Sequence, residues 1–425
     1  ERCDTHLEPL RKCRQVANQV ALCSPHRGET ALSDNESARR GTVLRITRHI
    51  RPITRPRLSP IRLGGRMVKR VVLARGAALP SSTGLGRAHH AVESLLQRAM
   101  VPGWSKVSTL EHQILSFAPS RLFTRWRKHP AFVSSSMEGS EADLLHITDQ
   151  EQAHLVPEQC DAPVAVTVHD MFHLEPRRIK AGDVRVPVGD QSPGFFRRRD
   201  LRRLKQGLAR ADLLICVSEM TRRDVERMFP GKPTALVRHQ IDLDYWDPEG
   251  NPRSRELIAE HDDDSKCLLI TVGSDEPRKR LDFVREVVAS LPEDVASDIL
   301  MLHIGSEAEL DDEQLVAALQ HAEALLFPSI SEGFGYPPAE AMAAGCPVLA
   351  ADLPAHNEVI PERCLLPATD LRAWTDEVVR VHKAWKRAGG VPRIPDDSLI
   401  DYVRASLSPE AQGVALSRAY EKACR

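Results

Sequence analysis

Short apolar runs alternate with amphipathic stretches along the chain from Met67 onwards. Nine of these runs are rich in β-branched residues and do not alternate with polar positions, which is typical of strands buried on both faces. They lie at 70–74, 143–147, 164–168, 212–217, 234–238, 267–272, 299–304, 324–328 and 347–351. Amphipathic patterns predict helices at 88–100, 197–210, 219–228, 281–291 and 312–322. This alternation predicts an α/β fold with parallel sheets covered by helices.

A polar break rich in turn residues and charges, at 241–266, divides the predicted strands into two sets. We therefore predict a first Rossmann-like domain at 67–245 and a second at 246–405. A C-terminal helix at 406–425 is expected to pack back on the first domain. Two doubly wound domains that face each other would form a ligand cleft at the carboxyl ends of both sheets.

Residues 1–66 differ in composition from the rest of the chain, because Lys and Arg outnumber Asp and Glu by fourteen to six. No helical or strand periodicity persists there, and the first methionine is Met67. A basic arm for nucleic acid is one interpretation. We favour a disordered leader, or an extension upstream of the true start, because the remainder of the chain is mildly acidic. Nucleic acid is therefore not expected as a partner.

The overall composition is that of an ordinary globular protein, with 42% hydrophobic and 28% charged residues and a net charge of −1. No apolar run is long enough to span a bilayer, and no signal segment is evident. Nine cysteines occur without a CxxC pair and are interpreted as reduced thiols. These features predict a cytoplasmic protein without a structural metal.

The stretch SEGFGYPPAEAMAAGCPV, residues 331–348, carries the most chemistry. Its prolines suit the first turn of a helix and Gly345 suits the left-handed position after it. The glycines before the helix allow backbone amides and the positive end of the helix dipole to meet an anion. Glu332 and Glu340 are better acceptors for sugar hydroxyls than for phosphate. The pattern favours a nucleotide sugar as ligand, although a glycine turn with two solvated glutamates fits the spacing equally well.

This motif resembles the donor-site signature of the retaining family-4 glycosyltransferases, which have the GT-B fold. Other segments that match in the family's order are TGLGR (83–87), VTVHD (166–170), ADLLICVSEMTRRDV (211–225) and VGSDEPRKRL (273–281). The resemblance extends from about Met67 to the end of the chain. It implies two Rossmann-like doubly wound domains facing across a cleft, and transfer of a hexosyl group from a UDP- or GDP-sugar. The acceptor would be a hydroxyl of a glycan, a lipid-linked glycan or a small molecule.

The resemblance also implies roles for individual residues. Glu332 would hold a hydroxyl of the donor sugar near the reacting carbon, and Lys279 would neutralise the leaving diphosphate with help from Arg278. The donor would further contact Gly333, Phe334, Gly335 and Glu340, the last through its ribose hydroxyls. The catalytic group would be completed by His169, which follows a buried strand and lies where the family has a histidine near the donor sugar.

The segment SSTGLGR follows the first strand and opens a helix. Gly84 and Gly86 would allow close approach of the backbone to phosphate or acceptor, and Arg87 would clamp a phosphate. No metal is expected: His169 and His173 are separated by a predicted loop, and the DLD sequence at 242–244 lies in the interdomain break. The nucleotide sugar would be a co-substrate and no cofactor is implied.

Residues 193–210 place two phenylalanines beside a dense run of arginines. Such a helix could rest on an anionic membrane at the inner face of the cell envelope, or could be a solvated charged face. The first interpretation would suit a lipid-linked acceptor.

The family's stereochemical outcome is retention, and the sequence offers no obvious second carboxylate as a covalent nucleophile. Front-side substitution therefore fits, with position and charge stabilisation supplied by the protein. Three departures from the family stand out: a short segment at 280–331, Ser274 in place of a common arginine, and RHQID (238–242) in place of an Asn-Gly turn. The alternatives are a non-catalytic partner protein of the same fold and a nucleotide-sugar epimerase.

Overall fold

The structure, a computed structural model, describes residues 62–63, 66–80, 83–112 and 118–425. The leader predicted at 1–66 therefore lies outside the described residues except at its end. There Arg62–Leu63 pairs with Arg66–Met67 in a short antiparallel hairpin.

A six-stranded sheet forms the centre of the first half, and all of its strand pairs are parallel. In spatial order the strands are Thr234–Leu236, Leu213–Cys216, Val164–Val168, Leu144–Ile147, Lys69–Ala74 and Trp104–Leu110. The helices of this half are Gly84–Gln97, Ala118–Phe123, the π-helical turn Thr124–Lys128, His129–Met137, the 3-10 helix Gln150–Leu155, Phe195–Arg210 and Glu219–Met228. An antiparallel hairpin, Arg177–Ala181 with Val184–Val188, lies outside the sheet.

A five-stranded parallel sheet forms the centre of the second half. Its spatial order is Ile299–Ile304, Cys267–Val272, Ala324–Phe327, Val348–Ala351 and Leu365–Leu366. The α-helices are Leu243–Trp246, Leu281–Ala289, Glu293–Ala296, Asp312–His321, Tyr336–Ala343, Leu371–Arg387, Asp397–Ser406 and Pro409–Ala423; 3-10 helices are Arg255–Ile258, Pro277–Lys279 and Glu362–Cys364. The segment 280–331 contributes the edge strand Ile299–Ile304 of this sheet.

The strands of the first sheet are buried on both faces, which explains their unalternated apolar sequences. Val71 and Leu73 pack on one side of the sheet with Tyr420 of the last helix. Val72 lies on the other side, in the cluster that contains Leu204 of the helix Phe195–Arg210. The phenol of Tyr420 also contacts His146 Nδ1 at 2.8 Å, so the C-terminal helix of the chain packs on the first sheet.

All nine predicted strands are present, and the α/β fold with two parallel sheets is confirmed. The pattern missed Trp104–Leu110, an edge strand whose residues are mostly half-exposed and therefore not apolar. It also missed the hairpin at 177–188, which is rich in charged residues. Ile241 and Trp246 pack in the core cluster of the second half, and the predicted domain boundary at 246 stays a prediction.

Each sheet reverses its strand order at its first long strand. Lys69–Ala74 lies between Trp104–Leu110 and Leu144–Ile147, and Cys267–Val272 lies between Ile299–Ile304 and Ala324–Phe327. The loops after such switch strands form the crevice in which open α/β sheets bind ligands. Within the described ranges, no helix is long and apolar enough to cross a membrane.

Candidate active site

A cavity of about 960 Å³ is lined by residues from both halves of the molecule. The first half contributes Gly84, Arg87, Asp149, His169, Asp170 and His239, and the second contributes Ser274, Glu276, Arg278, Lys279, Glu332, Gly333, Phe334, Gly335 and Tyr336. Nine of the eleven predicted site residues therefore lie on one cavity. The exceptions are Gly86 and Glu340, which are described below.

Two cations and a hydroxyl converge on one oxygen of Glu332. Lys279 Nζ lies 2.7 Å and an Arg278 guanidinium nitrogen 2.8 Å from Glu332 Oε1, and the Ser329 hydroxyl donates to the same oxygen at 2.7 Å. Burial alone would raise the pKa of the Glu332 carboxyl, but the charges of Lys279 and Arg278 outweigh it and lower the pKa to about 2. This carboxylate is therefore ionised and holds both cations at the cavity wall.

A second carboxylate brackets Arg278 from the solvent side. Glu276 Oε2 accepts from Arg278 Nε at 2.8 Å, and Glu276 Oε1 accepts from the Ser274 hydroxyl at 2.9 Å. Ser274 thus lies in the cavity at the position where the family often has an arginine. The positive charge on this wall comes from Arg278 and Lys279 rather than from residue 274.

Gly333 and Gly335, in the loop before the helix Tyr336–Ala343, are required for different structural reasons. A Cβ on Gly333 would lie 2.2 Å from the carbonyl oxygen of His169, so glycine is required where the two halves touch. Gly335 has a φ of 101°, a left-handed conformation that suits glycine, at the N-cap of the helix Tyr336–Ala343. The predicted positions of the prolines in the first helical turn, and of Gly345 at positive φ after the helix, are confirmed.

Glu340 faces an adjoining cavity of about 320 Å³ that shares Arg87 and Tyr336 with the larger one. Its carboxylate is 1% exposed and lies 3.0 Å from an Arg87 guanidinium nitrogen across the cleft. Burial raises the pKa of Glu340 to about 7, and the charge of Arg87 offsets this only in part. Arg87 therefore binds a carboxylate of the other half in this structure, and its predicted contact with a phosphate stays a prediction.

Gly84 lines the large cavity, and a Cβ there would meet only the Tyr336 ring at 3.6 Å. Gly86 lies away from both cavities, and a Cβ there would be 1.9 Å from the Pro80 carbonyl oxygen. Its amide donates to the Thr83 hydroxyl, which caps the helix. The glycine at 86 is explained by this tight turn, and the predicted approach to phosphate does not account for it.

His169 and His239 lie side by side on the wall of the cavity with nearly parallel rings. Their ring centroids are 5.2 Å apart, and His239 in turn stacks on Tyr336 at 5.1 Å. Burial lowers the pKa of His169 to about 4, so the ring is neutral near pH 7. Its Nε2 lies 3.0 Å from the Thr148 carbonyl and must donate, which leaves Nδ1 to accept from His239 Nε2 at 3.2 Å.

Sequence reasoning missed His239 and a pair of carboxylates on the first half, Asp149 and Asp170. Burial raises the pKa of Asp149 to about 7, and burial also raises the pKa of Asp170. Both follow predicted strands by two residues, which places them at the carboxyl edge of the sheet. Their position just after predicted strands could have identified them from the sequence, because α/β sheets bind ligands at the carboxyl ends of their strands.

Two family sequence models match the chain. Residues 82–245 match "Glycosyltransferase Family 4" and residues 256–384 match "Glycosyl transferases group 1". The chain belongs to glycosyltransferase family 4. The matched ranges include every residue of the cavity wall named above, among them Glu332, Lys279 and Arg87.

Curated relatives of this family-4 chain include two mannosyltransferases. The O-antigen chain mannosyltransferase RfbU of Salmonella typhimurium is 31% identical over 121 residues, which is 28% of this chain and 31% of the relative. The MMP alpha-(1->4)-mannosyltransferase of Mycolicibacterium hassiacum is 32% identical over 160 residues, 35% of this chain and 38% of the relative. The chain thus spans about a third of the length of these two relatives.

Solved structures with the same fold cover most of the chain. Sucrose-phosphate synthase from Thermosynechococcus elongatus superposes with a TM-score of 0.59 at 16% identity, covering 83% of this chain and 98% of that one. Anabaena Alr3699/HepE in complex with UDP-glucose superposes with a TM-score of 0.52 at 12% identity, covering 81% and 97%. The two Rossmann-like domains of this protein form the GT-B fold.

Proposed function

We propose that this protein transfers a hexosyl group, with retention, from a UDP- or GDP-sugar to a hydroxyl of a glycan, a lipid-linked glycan or a small molecule. The observation that carries the proposal is the cluster of Lys279, Arg278 and Glu332 beside the Gly333–Gly335 loop. Two cations and the N-terminus of the helix Tyr336–Ala343 meet at one wall of the cavity. A diphosphate bound there would be stabilised as it accumulates charge.

The reaction breaks the bond between the anomeric carbon and the diphosphate oxygen. The acceptor oxygen forms its bond on the same face of the sugar, and its proton passes to the departing phosphate oxygen. Lys279 and Arg278 would stabilise the negative charge that develops on that oxygen, which lowers the barrier because the stabilisation is greatest in the transition state. The proposal assigns this task to protein cations and needs no metal ion.

Glu332 would change partners during the cycle. In this structure its Oε1 is engaged by Lys279, Arg278 and Ser329. A diphosphate would compete for the two cations, and Glu332 would then be available to accept from a hydroxyl of the donor sugar. Glu340 would similarly exchange the Arg87 guanidinium for the ribose hydroxyls.

A mannosyl donor is the first to test, since the two curated relatives described above are both named as mannosyltransferases. HepE, which shares the fold, has been crystallised with UDP-glucose, so glucosyl donors belong in the same panel. We place the protein in the cytoplasm because the six described cysteines are all free thiols, as is usual in reducing compartments.

The experiment offers the complete chain a panel of UDP- and GDP-sugars, with and without a crude extract of lipids and glycans. Nucleotide release is read by mass spectrometry. Glu332→Ala and Lys279→Ala serve as test variants, and Arg223→Ala, an exposed residue of the helix Glu219–Met228, is the matched control.

Release from one donor that is lost in both test variants and retained in the control would support the proposal. A folded wild-type protein that neither binds nor consumes any donor would contradict it and favour a non-catalytic partner protein. Conversion of a donor into its epimer without release of nucleotide would favour an epimerase.

A further inference from the structure

The helix Phe195–Arg210 presents two unlike faces. Asp200, Leu204, Gly207 and Leu208 are buried against the first half. The opposite face carries Phe195, Arg198, Arg199, Arg202 and Gln206, which are exposed and recur at helical spacing. Together with Arg203 these residues line a surface depression of about 320 Å³. The arginines are therefore gathered on one side of the molecule.

Aromatic rings lie among these arginines. Phe195 is 71% exposed and Phe196 is 59% exposed, with their rings 5.6 Å apart. Trp126, from the neighbouring π-helical turn Thr124–Lys128, lies under the guanidinium groups of Arg199 and Arg203 at 5.5 and 5.1 Å. Exposed phenylalanines gain nothing from the folded protein itself, since their apolar area remains in water.

The nearby carboxylates do not neutralise this face. Asp200 is paired with Arg125 at 2.8 Å, and Glu151 is paired with Arg197 at 2.8 Å. Throughout the described ranges, no carboxylate lies within ion-pair distance of Arg198, Arg199 or Arg202. Burial and the charges of Arg199 and Arg127 lower the pKa of Arg203, as expected for a crowd of like charges.

We propose that the surface formed by Trp126, Phe195, Phe196, Arg198, Arg199 and Arg202 docks on the anionic face of a lipid bilayer. The guanidinium groups bind headgroup phosphates, and the two phenylalanines enter the boundary between headgroups and acyl chains. A cationic helix face with exposed aromatic side chains has the chemistry of an interfacial membrane contact. The attraction of anionic lipids for each cation near the surface adds to the burial of the apolar rings.

This surface lies close to the large cavity. Arg197 of the same helix is paired with Glu151, which lines the large cavity. Docking therefore brings the first half's side of the cavity next to the bilayer, where a lipid-linked acceptor could enter. The docking itself does not depend on sugar transfer and is tested without it.

The test is sedimentation of the complete chain with vesicles of phosphatidylcholine alone or mixed with phosphatidylglycerol. One variant carries Arg199→Glu and Arg202→Glu, and another carries Phe195→Ser and Phe196→Ser. The matched control carries Arg223→Glu and Arg418→Glu, which are exposed elsewhere and change the net charge equally. Circular dichroism confirms that each variant is folded.

The expected result is binding to the mixed vesicles that weakens with added salt, and little binding to phosphatidylcholine alone. The arginine variant should bind about tenfold more weakly or worse. The phenylalanine variant should also bind more weakly, and the control should bind like the wild type. Equal binding to both vesicle types, or an unaffected arginine variant, would overturn the proposal. Binding of a single-stranded RNA oligomer without binding to either kind of vesicle would also overturn it.

Discussion

Glu332 in the loop and Glu340 in the helix Tyr336–Ala343 should respond in opposite ways to the same substitution. Glu332 and Glu340 are both buried, at 8% and 1% exposure. Yet the pKa of Glu332 is lowered to about 2, while that of Glu340 is raised to about 7. Glu332→Gln removes a charge that the fold stabilises, whereas Glu340→Gln removes one that the fold barely tolerates.

The magnitude follows from the shift in pKa between the unfolded and folded states. A fall from 4.5 to about 2 for Glu332 corresponds to about 3 kcal/mol of stability, at 1.36 kcal/mol per unit. Because the pKa is lowered on folding, this contribution is present above about pH 4.5 and is lost as the pH falls towards 2. Glu332→Gln should therefore lower the free energy of unfolding by about 3 kcal/mol at pH 7. By the same arithmetic, the rise from 4.5 to about 7 for Glu340 means that its ionisation destabilises the folded state, so Glu340→Gln should raise the free energy of unfolding by up to about 3 kcal/mol at pH 7, and this gain should vanish below about pH 4.5.

Urea denaturation of both variants and the wild type at pH 7 and at pH 4 measures these differences. The same variants should differ in ligand binding: Glu332→Gln frees Lys279 and Arg278 from their carboxylate, so nucleoside diphosphate should bind at least as tightly as to the wild type while transfer is lost. Equal stability of the two variants at pH 7 would refute the reasoning. Weaker diphosphate binding by Glu332→Gln would refute the exchange of partners.

Three further outcomes follow from the site. Gly333→Ala should reduce turnover by about 100-fold with the fold intact, because the new Cβ would lie 2.2 Å from the His169 carbonyl oxygen and push the 333–335 loop away. Steady-state kinetics measure the turnover and circular dichroism checks the fold, and an unchanged turnover would contradict the prediction. His239→Phe should cost about 1–3 kcal/mol in urea denaturation by removing the donor to His169 Nδ1, and long-range ¹H–¹⁵N spectra of the wild type should show both rings as neutral Nε2–H tautomers. Asp149→Asn should raise the free energy of unfolding by up to ~4 kcal/mol at pH 8, because a carboxyl whose pKa is raised on folding destabilises the folded state when it is ionised. The gain should vanish below about pH 4, and urea denaturation that showed a gain at low pH would disprove this origin.

The sequence predicted the sheets well because burial on both faces leaves a strong signal. Strands such as Val164–Val168 and Cys267–Val272 are largely apolar runs, and helices such as Leu281–Ala289 bury one face at helical spacing. The edge strand Trp104–Leu110 lacked that signal, because its sequence WSKVSTL is half-exposed and has neither a continuous apolar run nor strict apolar–polar alternation. Local pattern therefore determines the core of each sheet better than its edges.

The site was predictable only where its residues lie in recognisable sequence motifs. Glu332 and Lys279 came from recognisable segments, and the structure places their charged groups 2.7 Å apart. The contact of Gly333 with His169 joins residues far apart in the sequence, as does the stack of His239 on Tyr336. Such contacts depend on how the two halves meet, which composition and periodicity do not encode.

The most direct test of the central claim is to follow a consumed donor by rapid ¹H NMR, with water as the only acceptor. The account predicts that nucleoside diphosphate and free sugar appear together, and that the sugar appears first as the anomer with the donor's own configuration. Appearance of the opposite anomer first would contradict retention by front-side substitution. A donor that yields no nucleoside diphosphate, with the protein folded, would contradict the proposed transferase activity itself.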